Sequence, residues 1–255
     1  MALLAVVLPC AAQDLPRRIV SLDLCTDWLL MHYAQRSPEV MPRVAALSPL
    51  VRQHAGQWSA SAWPSHDGSL EQVLQLQPDL VITGQYNALL LRRRLQSLGK
   101  RVAVLPLPTH LADIEGYEKG LLSLLGLPPS LADVAVSAAT AGTHKRLLLL
   151  GPNGIGTGRG TLEDEILRRA GWTNYVRQDG YVRLDLERIA ADPPDAVLWV
   201  APASPALANR FAQHPVLKRA VPASHWLHTE AWRWQCPGPW SWQLVRELHR
   251  ALMVN

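Results

Sequence analysis

The stretch LLLLGPNGIGTGRGTLEDEI, residues 147 to 166, sets an apolar run before a glycine-rich loop and a helix start. That is the layout of a nucleotide site, and its chemistry would be phosphate binding by backbone N–H groups at a helix N-terminus. The dinucleotide fingerprint G-x-G-x-x-G does not fit: from Gly154 its last position is Arg159, and from Gly156 it is Thr161. A P-loop needs a lysine at the helix start, where this chain has Gly160-Thr161. Glycines also serve wherever backbone turns sharply or lies against a ligand, so a ligand loop remains open. Nucleophilic chemistry finds less: there is no G-x-S-x-G elbow, and Cys25-Thr26-Asp27 has no histidine close in sequence. A partner histidine from elsewhere in the fold stays possible. Bare metal binding calls for clustered His and carboxylate ligands. The nine histidines are scattered, with His225 and His228 the close pair.

Six short apolar, β-branched runs read as strands: RIVSL, RVAAL, DLVIT, RVAVLP, RLLLLG and AVLWV. Between them, helical spacing fits TDWLLMHYA, LEQVLQL, ALLLRRRLQSLG, ADIEGYEKGLLSLLG, SLADVAVSAATAG, TLEDEILRRAG, ALANRFAQHPVLKR and SWQLVRELHRALM. Alternation at this pitch predicts an α/β protein with mostly parallel sheets.

A chain of 255 residues can build one large domain or two small ones, and 48% hydrophobic with 18% charged residues is a globular composition. The charge of +4 is spread along the chain, and Arg92-Arg93-Arg94 falls in an amphipathic helical pattern. A solvated helix face explains that run better than a nucleic-acid site, and no nucleic-acid partner is expected. Residues 1–12 resemble a secretory leader, with a short apolar stretch and no positive start, as a start codon placed too far downstream would give. The expected product is an exported protein. Outside the leader, Cys25 and Cys236 would remain, and an oxidising compartment permits a disulfide as readily as two core thiols.

One unit recurs. SLEQVLQLQPDLVIT begins at Ser69 and DLERIAADPPDAVLWV at Asp185, and Glu71, Pro78 and Asp79 match Glu187, Pro194 and Asp195, each pair 116 residues apart. A single recurrence at that distance means two similar lobes and not a solenoid. The expected division is 13–110 for the first lobe, 111–144 for a helical linker and 145–255 for the second. Ligands of such sheets sit at the loops beyond the strand ends, which places a cleft between the lobes.

Four stretches, in this order, resemble the class III (helical-backbone) periplasmic substrate-binding proteins of ABC importers: RRIVSLDLCTDWLL; DGSLEQVLQLQPDLVITG; GTLEDEILRRAGWTNYV with VRLDLERIAADPPDAVLWV; and HPVLKRAVPASHWLHTEAWRWQCPGPWSWQLVRELHRAL. The resemblance implies two α/β lobes joined by one bridging helix, a ligand cleft between them, no catalysis and no resident cofactor. The cargo would be a metal chelate, a cobalamin or a ferric siderophore. The partner would be a permease dimer with its ATPase, met by a monomeric binding protein through an acidic residue on each lobe, here Glu71 and Glu187. Helix-N-terminal glutamates favoured by the macrodipole are the plainer reading of the same pair.

The resemblance maps the first-lobe cleft to Cys25, Thr26, Trp63, Gln85 and Tyr86. It maps the second to Asn153, Ile155, Arg159, Tyr181, Trp234, Gln235 and Cys236, with the glycine loop as a ligand loop. Flat, rigid rings suit a macrocycle or a large chelate. Five of the ten tryptophans lie between Trp226 and Trp242, and Trp240 and Trp242 are expected in the core. Catecholate chelates call for several arginines and only Arg159 offers itself, which tilts the cargo toward a corrinoid or a neutral hydroxamate. Heme capture would use Tyr86, Tyr181 or His66. For Cys25 and Cys236, buried thiols, a disulfide, soft metal ligands and a thiol nucleophile all stay open. A permease-free sensor or scavenger is the other binding alternative, and an exported hydrolase is the enzymatic one. The bridge itself is short, since SLADVAVSAATAGTHK gives 16 residues, about 24 Å as a helix.

Overall fold

A computed structural model describes residues 15–54, 62–131, 144–201 and 206–254. The expected leader, and most of the expected bridging helix, lie outside these residues.

The first lobe runs β1 (Ile19–Ser21), α1 (Leu24–Arg36), β2 (Val44–Ala46), α2 (Leu70–Gln75), β3 (Leu80–Gly84), α3 (Leu89–Ser97) and β4 (Val102–Leu105). Its sheet has the order β2-β1-β3-β4, and every pair is parallel. Helices cover both faces, so the strands are mostly apolar, with Ser21 and Thr83 as buried exceptions. Ile19, Leu80 and Ile82 point into one core, and Val20 and Val81 into the other.

After α4 (Asp113–Leu125), the second lobe runs β5 (Arg146–Leu150), β6 (Ile155–Thr157), α5 (Leu162–Arg169), β7 (Thr173–Asn174), β8 (Tyr181–Arg183), α6 (Leu186–Ala191), β9 (Ala196–Trp199), α7 (Pro215–Ala220), β10 (Trp226–His228), α8 (Trp232–Gln235) and α9 (Trp240–Val254). Its sheet has the order β10-β9-β5-β6-β8, with β7 also on β5; β6 runs antiparallel to β5 and β8. All six expected strands are present. The helix expected over ALANRFAQHPVLKR is not continuous: residues 207–213 form 3-10 turns, and α7 starts only at Pro215. A residue before proline is pushed out of the α region, and His214 is extended, with its ring capping Val216 N.

The repeat does the same work twice. The Asp79 carboxylate accepts from Arg17 N and Arg18 N, at 2.7 and 3.0 Å, and the Asp195 carboxylate accepts from Arg146 N at 2.6 Å. Each Pro-Asp turn thus hangs its strand on the first strand of its own lobe.

The lobes are joined more intimately than the expected boundaries imply. Leu111 and Ile114 lie in the core of the second lobe, whereas Tyr117, Leu121 and Leu125 lie in that of the first, so α4 has an end in each. Trp232, Cys236 and Trp240 return to the first core while Trp234 and Trp242 stay in the second. Trp240 and Trp242 are core residues, as expected.

Candidate functional site

Parallel strands deliver their following loops to one sheet edge, and in the first lobe Asp23 organises that edge. It caps α1 with extended backbone; one carboxylate oxygen accepts from Cys25 N and Thr26 N at 3.0 and 3.1 Å. The other accepts from Thr26 Oγ1 at 3.0 Å and from Gly84 N at 2.7 Å. One buried side chain therefore ties the loop after β1 to the end of β3, where Gln85 and Tyr86 emerge. Both are exposed; the Tyr86 ring is 68% accessible. The side-chain oxygen of Gln85 accepts from Leu107 N at 3.4 Å, which brings in the loop after β4. Trp63 is half-buried against the first core.

Beneath this edge lies a second carboxylate. Asp27 is fully buried and accepts from Ser48 N and Ser48 Oγ, at 3.0 and 2.6 Å. Burial outweighs those bonds and pushes its pKa up to about 7. His66 is buried as well. Its Nδ1 accepts from Gly68 N, so Nε2 carries the proton and donates to Ser21 O, each at 2.9 Å. Burial lowers its pKa, and neither nitrogen is left for a metal.

The two loop edges are bonded to each other. Cys25 and Cys236 form a disulfide with a Cα–Cα distance of 4.9 Å, which settles the alternatives left open for these thiols. Behind it Trp28, Trp232 and Trp240 pack in series, the first pair tilted and the second edge-to-face, with centroids 4.9 and 5.0 Å apart. Further round, Leu111 N donates to Glu165 on α5 at 2.9 Å.

Several expected contacts are corrected. Thr26 is fully buried and its hydroxyl is taken up by Asp23 and Ser21, so it faces no ligand. Trp234 is buried in the second core with its N–H on Thr229 Oγ1, and Cys236 is buried as well, leaving Gln235 as the exposed member of that segment. The glycine loop is no open ligand loop: it contains β6, and three of its glycines make room for this chain's own atoms. A Cβ on Gly154 would meet the Phe211 ring at 2.4 Å, one on Gly156 would meet Leu184 at 2.6 Å, and one on Gly158 would meet Gln178 O at 2.0 Å. The turn before β6 still presents Asn153, exposed in the left-handed region, and β6 opens on half-buried Ile155.

Arg159 and Tyr181 form a separate group. Tyr181 pairs with Thr157 at the other end of β6, its hydroxyl donates to Glu163 at 3.1 Å, and Arg159 faces Asp179 at 3.8 Å. They are not brought to the turn at Asn153. Glu71 and Glu187 are both exposed, each the second residue of a six-residue helix that leads through a Pro-Asp turn into a strand. Each helix runs back along its strand, so both glutamates stand at the loop edges. Asp23 was not singled out in the sequence, although an aspartate before a helical run is a readable N-cap signal, and Asp27 was met there only as a neighbour of Cys25.

Among the described residues no helix is long and apolar enough to cross a membrane. No family model matches the chain, and no curated protein does. Solved structures do match over nearly the whole length. A periplasmic heme-binding protein from Pseudomonas aeruginosa is 23% identical with a TM-score of 0.69, covering 93% of this chain and 92% of that one. The apo periplasmic heme-binding protein of Roseiflexus sp. RS-1 is 19% identical with a TM-score of 0.70, covering 92% and 97%. The periplasmic vitamin B12-binding protein of Vibrio cholerae is 16% identical with a TM-score of 0.64, covering 94% and 97%. The chain therefore has the two-lobed α/β fold of the periplasmic binding proteins, the fold its sequence resemblance implies.

Proposed function

We propose that this chain is the periplasmic substrate-binding protein of an ABC importer and carries a metal chelate between the loop edges of its lobes. The matched pair Glu71 and Glu187 carries the reading. Two exposed carboxylates at equivalent points of a duplicated unit suit a two-fold permease, because charge pairing at two symmetric points fixes orientation. The structures of like fold support the same role. Trp63, Gln85, Tyr86, Asn153, Ile155 and Gln235 supply the cargo surface, with the disulfide beside it. This surface is aromatic and amide-rich, and Arg159 is engaged with Asp179, which favours a corrinoid or neutral hydroxamate chelate over an anionic catecholate.

The test is a titration with cyanocobalamin, heme, ferrichrome and a ferric catecholate by tryptophan fluorescence, corrected for ligand absorption. Saturation by one of them at micromolar concentration or below supports the reading; failure of all four overturns the chelate assignment. Reversing both charges, Glu71→Lys with Glu187→Lys, should leave that affinity unchanged and abolish uptake. Uptake that survives would favour a permease-free sensor.

Heme is the second reading, and one observation favours it. Tyr86 is the exposed phenol at this edge, with its hydroxyl free of any partner among the described residues, whereas His66 and the Tyr181 hydroxyl are engaged. Under this reading Tyr86→Phe removes the heme absorbance change; under the corrinoid reading it costs little.

A further inference from the structure

The second-lobe sheet ends at β10, and its pairing places three large polar-tipped rings together. Trp226 lies opposite Val197 and His228 opposite Trp199. Alternate residues of a strand share a face, so Trp199, Trp226 and His228 all project from the face that carries Val197, Leu148 and Leu150. The covering chain is broken there: the 3-10 turns of residues 207–213 stop at His214, and α7 begins at Pro215. The break leaves a hollow of about 220 Å³ lined by Trp199, Gln213, Lys218, Val221, Trp226 and His228.

The lining has one chemical sense. Among the described residues the side chains of Lys218, Gln213 and His228, and the Trp199 N–H, have no hydrogen-bonding or ionic partner. Trp226 is held by its own N–H, which donates to Val221 O at 3.1 Å, so its ring is a fixed wall. Among the described residues no aspartate or glutamate lines the hollow. An ammonium and further N–H groups without a carboxylate select an anion, since charge-assisted bonds are the stronger kind. Two indoles, with alanines filling the rest, select a flat apolar body. An engineered apolar cavity of roughly 150 Å³ admits benzene, so this hollow admits one aromatic ring with an acidic substituent.

We propose that the hollow is a second ligand site, for a small planar aryl carboxylate, with the carboxylate on Lys218 and the ring between Trp199 and Trp226. It shares no residue with the chelate surface and does not depend on the importer reading.

The test is fluorine NMR of the full chain with 4-(trifluoromethyl)benzoate and its uncharged twin, 4-(trifluoromethyl)benzamide. The benzoate should broaden saturably and bind at least about tenfold tighter than the amide, a difference of roughly 1.4 kcal/mol. Lys218 is exposed, so Lys218→Met leaves the fold alone and should weaken the benzoate about tenfold, while Lys218→Arg holds it within about threefold. Equal binding of benzoate and amide, absence of saturation, or Lys218→Met binding like the parent would each overturn the proposal.

Discussion

The loop edges of the two lobes come from the same kind of βα unit and are held by different physics. In the first lobe, Asp23 gathers four donors from Cys25, Thr26 and Gly84, while Asp27 and His66 hold the layer below through Ser48, Ser21 and Gly68. In the second, the turn 151–154 and the hairpin behind it are held by apolar side chains pressed onto glycines, Phe211 on Gly154 and Leu184 on Gly156. A buried polar network fixes directions, because every donor needs its acceptor. Close packing onto glycine fixes distances. The first edge is thus the one whose presented groups, Gln85 and Tyr86, are aimed by hydrogen bonds, and the second is a wall whose position depends on volume. The disulfide couples them.

That coupling gives the largest expected effect. Cys25 and Cys236 close a loop across 211 residues of sequence, and the chain-entropy relation puts the stabilisation of so long a loop near 5 kcal/mol as a ceiling. Replacing both with serine should lower the urea midpoint sharply. If the two edges act as one unit, it should also weaken the chelate at protein concentrations where the fold persists. Parent-like stability and affinity would show that the edges hold their places independently.

The next effect separates the lobes by pH. Asp27 in the folded chain keeps its proton up to about pH 7. In the unfolded chain an aspartate releases it near 4. Between these values the folded state binds more protons, so stability falls as pH rises from about 4 to 7 and levels off above. The full span corresponds to roughly 4 kcal/mol for the buried group. Asp27→Asn should flatten the profile of urea midpoint against pH in that window. A profile with undiminished slope would place the titration elsewhere. Asp23→Ala, which strips the cap from α1 and the tie to Gly84, should cost about 3 kcal/mol and loosen Tyr86. Amide exchange at Gly84 is its direct readout.

How much of this was legible in the sequence follows the same divide. The six apolar runs became strands, and in β3, β5 and β9 burial on both faces leaves an almost uninterrupted signal; the Pro-Asp unit announced the duplication. Strands β6, β7, β8 and β10 have two or three residues each and, unlike the equally short β1 and β2, sit in no apolar run that could mark them. The break at His214 was written in Pro215, yet the apolar spacing across it read as one helix. The cysteine pairing joins residues that only the fold brings to a Cα distance of 4.9 Å. Glycines were visible, but what fills the space above them is tertiary information. The loop that looked made for a ligand is instead shaped around Phe211 and Leu184. Likewise Thr26 stood in the right place, and only the structure shows its hydroxyl turned inward to Asp23.

The finest test of the packed edge compares two glycines of that loop, both in the left-handed region. Gly154 has φ +69° and Gly160 φ +75°, so alanine at either incurs a similar backbone penalty of about 1 to 2 kcal/mol. They differ in what the new methyl meets. At Gly160 nothing lies within 4 Å, whereas at Gly154 the Phe211 ring lies within 2.4 to 2.7 Å and must swing away. Displacing a packed ring typically adds 1 to 3 kcal/mol, so roughly 2 kcal/mol should separate Gly154→Ala from Gly160→Ala. The contrast also has a functional sign. If the wall depends on volume, Gly154→Ala moves Asn153 and Ile155 and changes chelate affinity, while Gly160→Ala lowers stability alone. Equal losses in both variants would mean that Phe211 yields without cost, and that the second edge, like the first, is positioned by its hydrogen bonds.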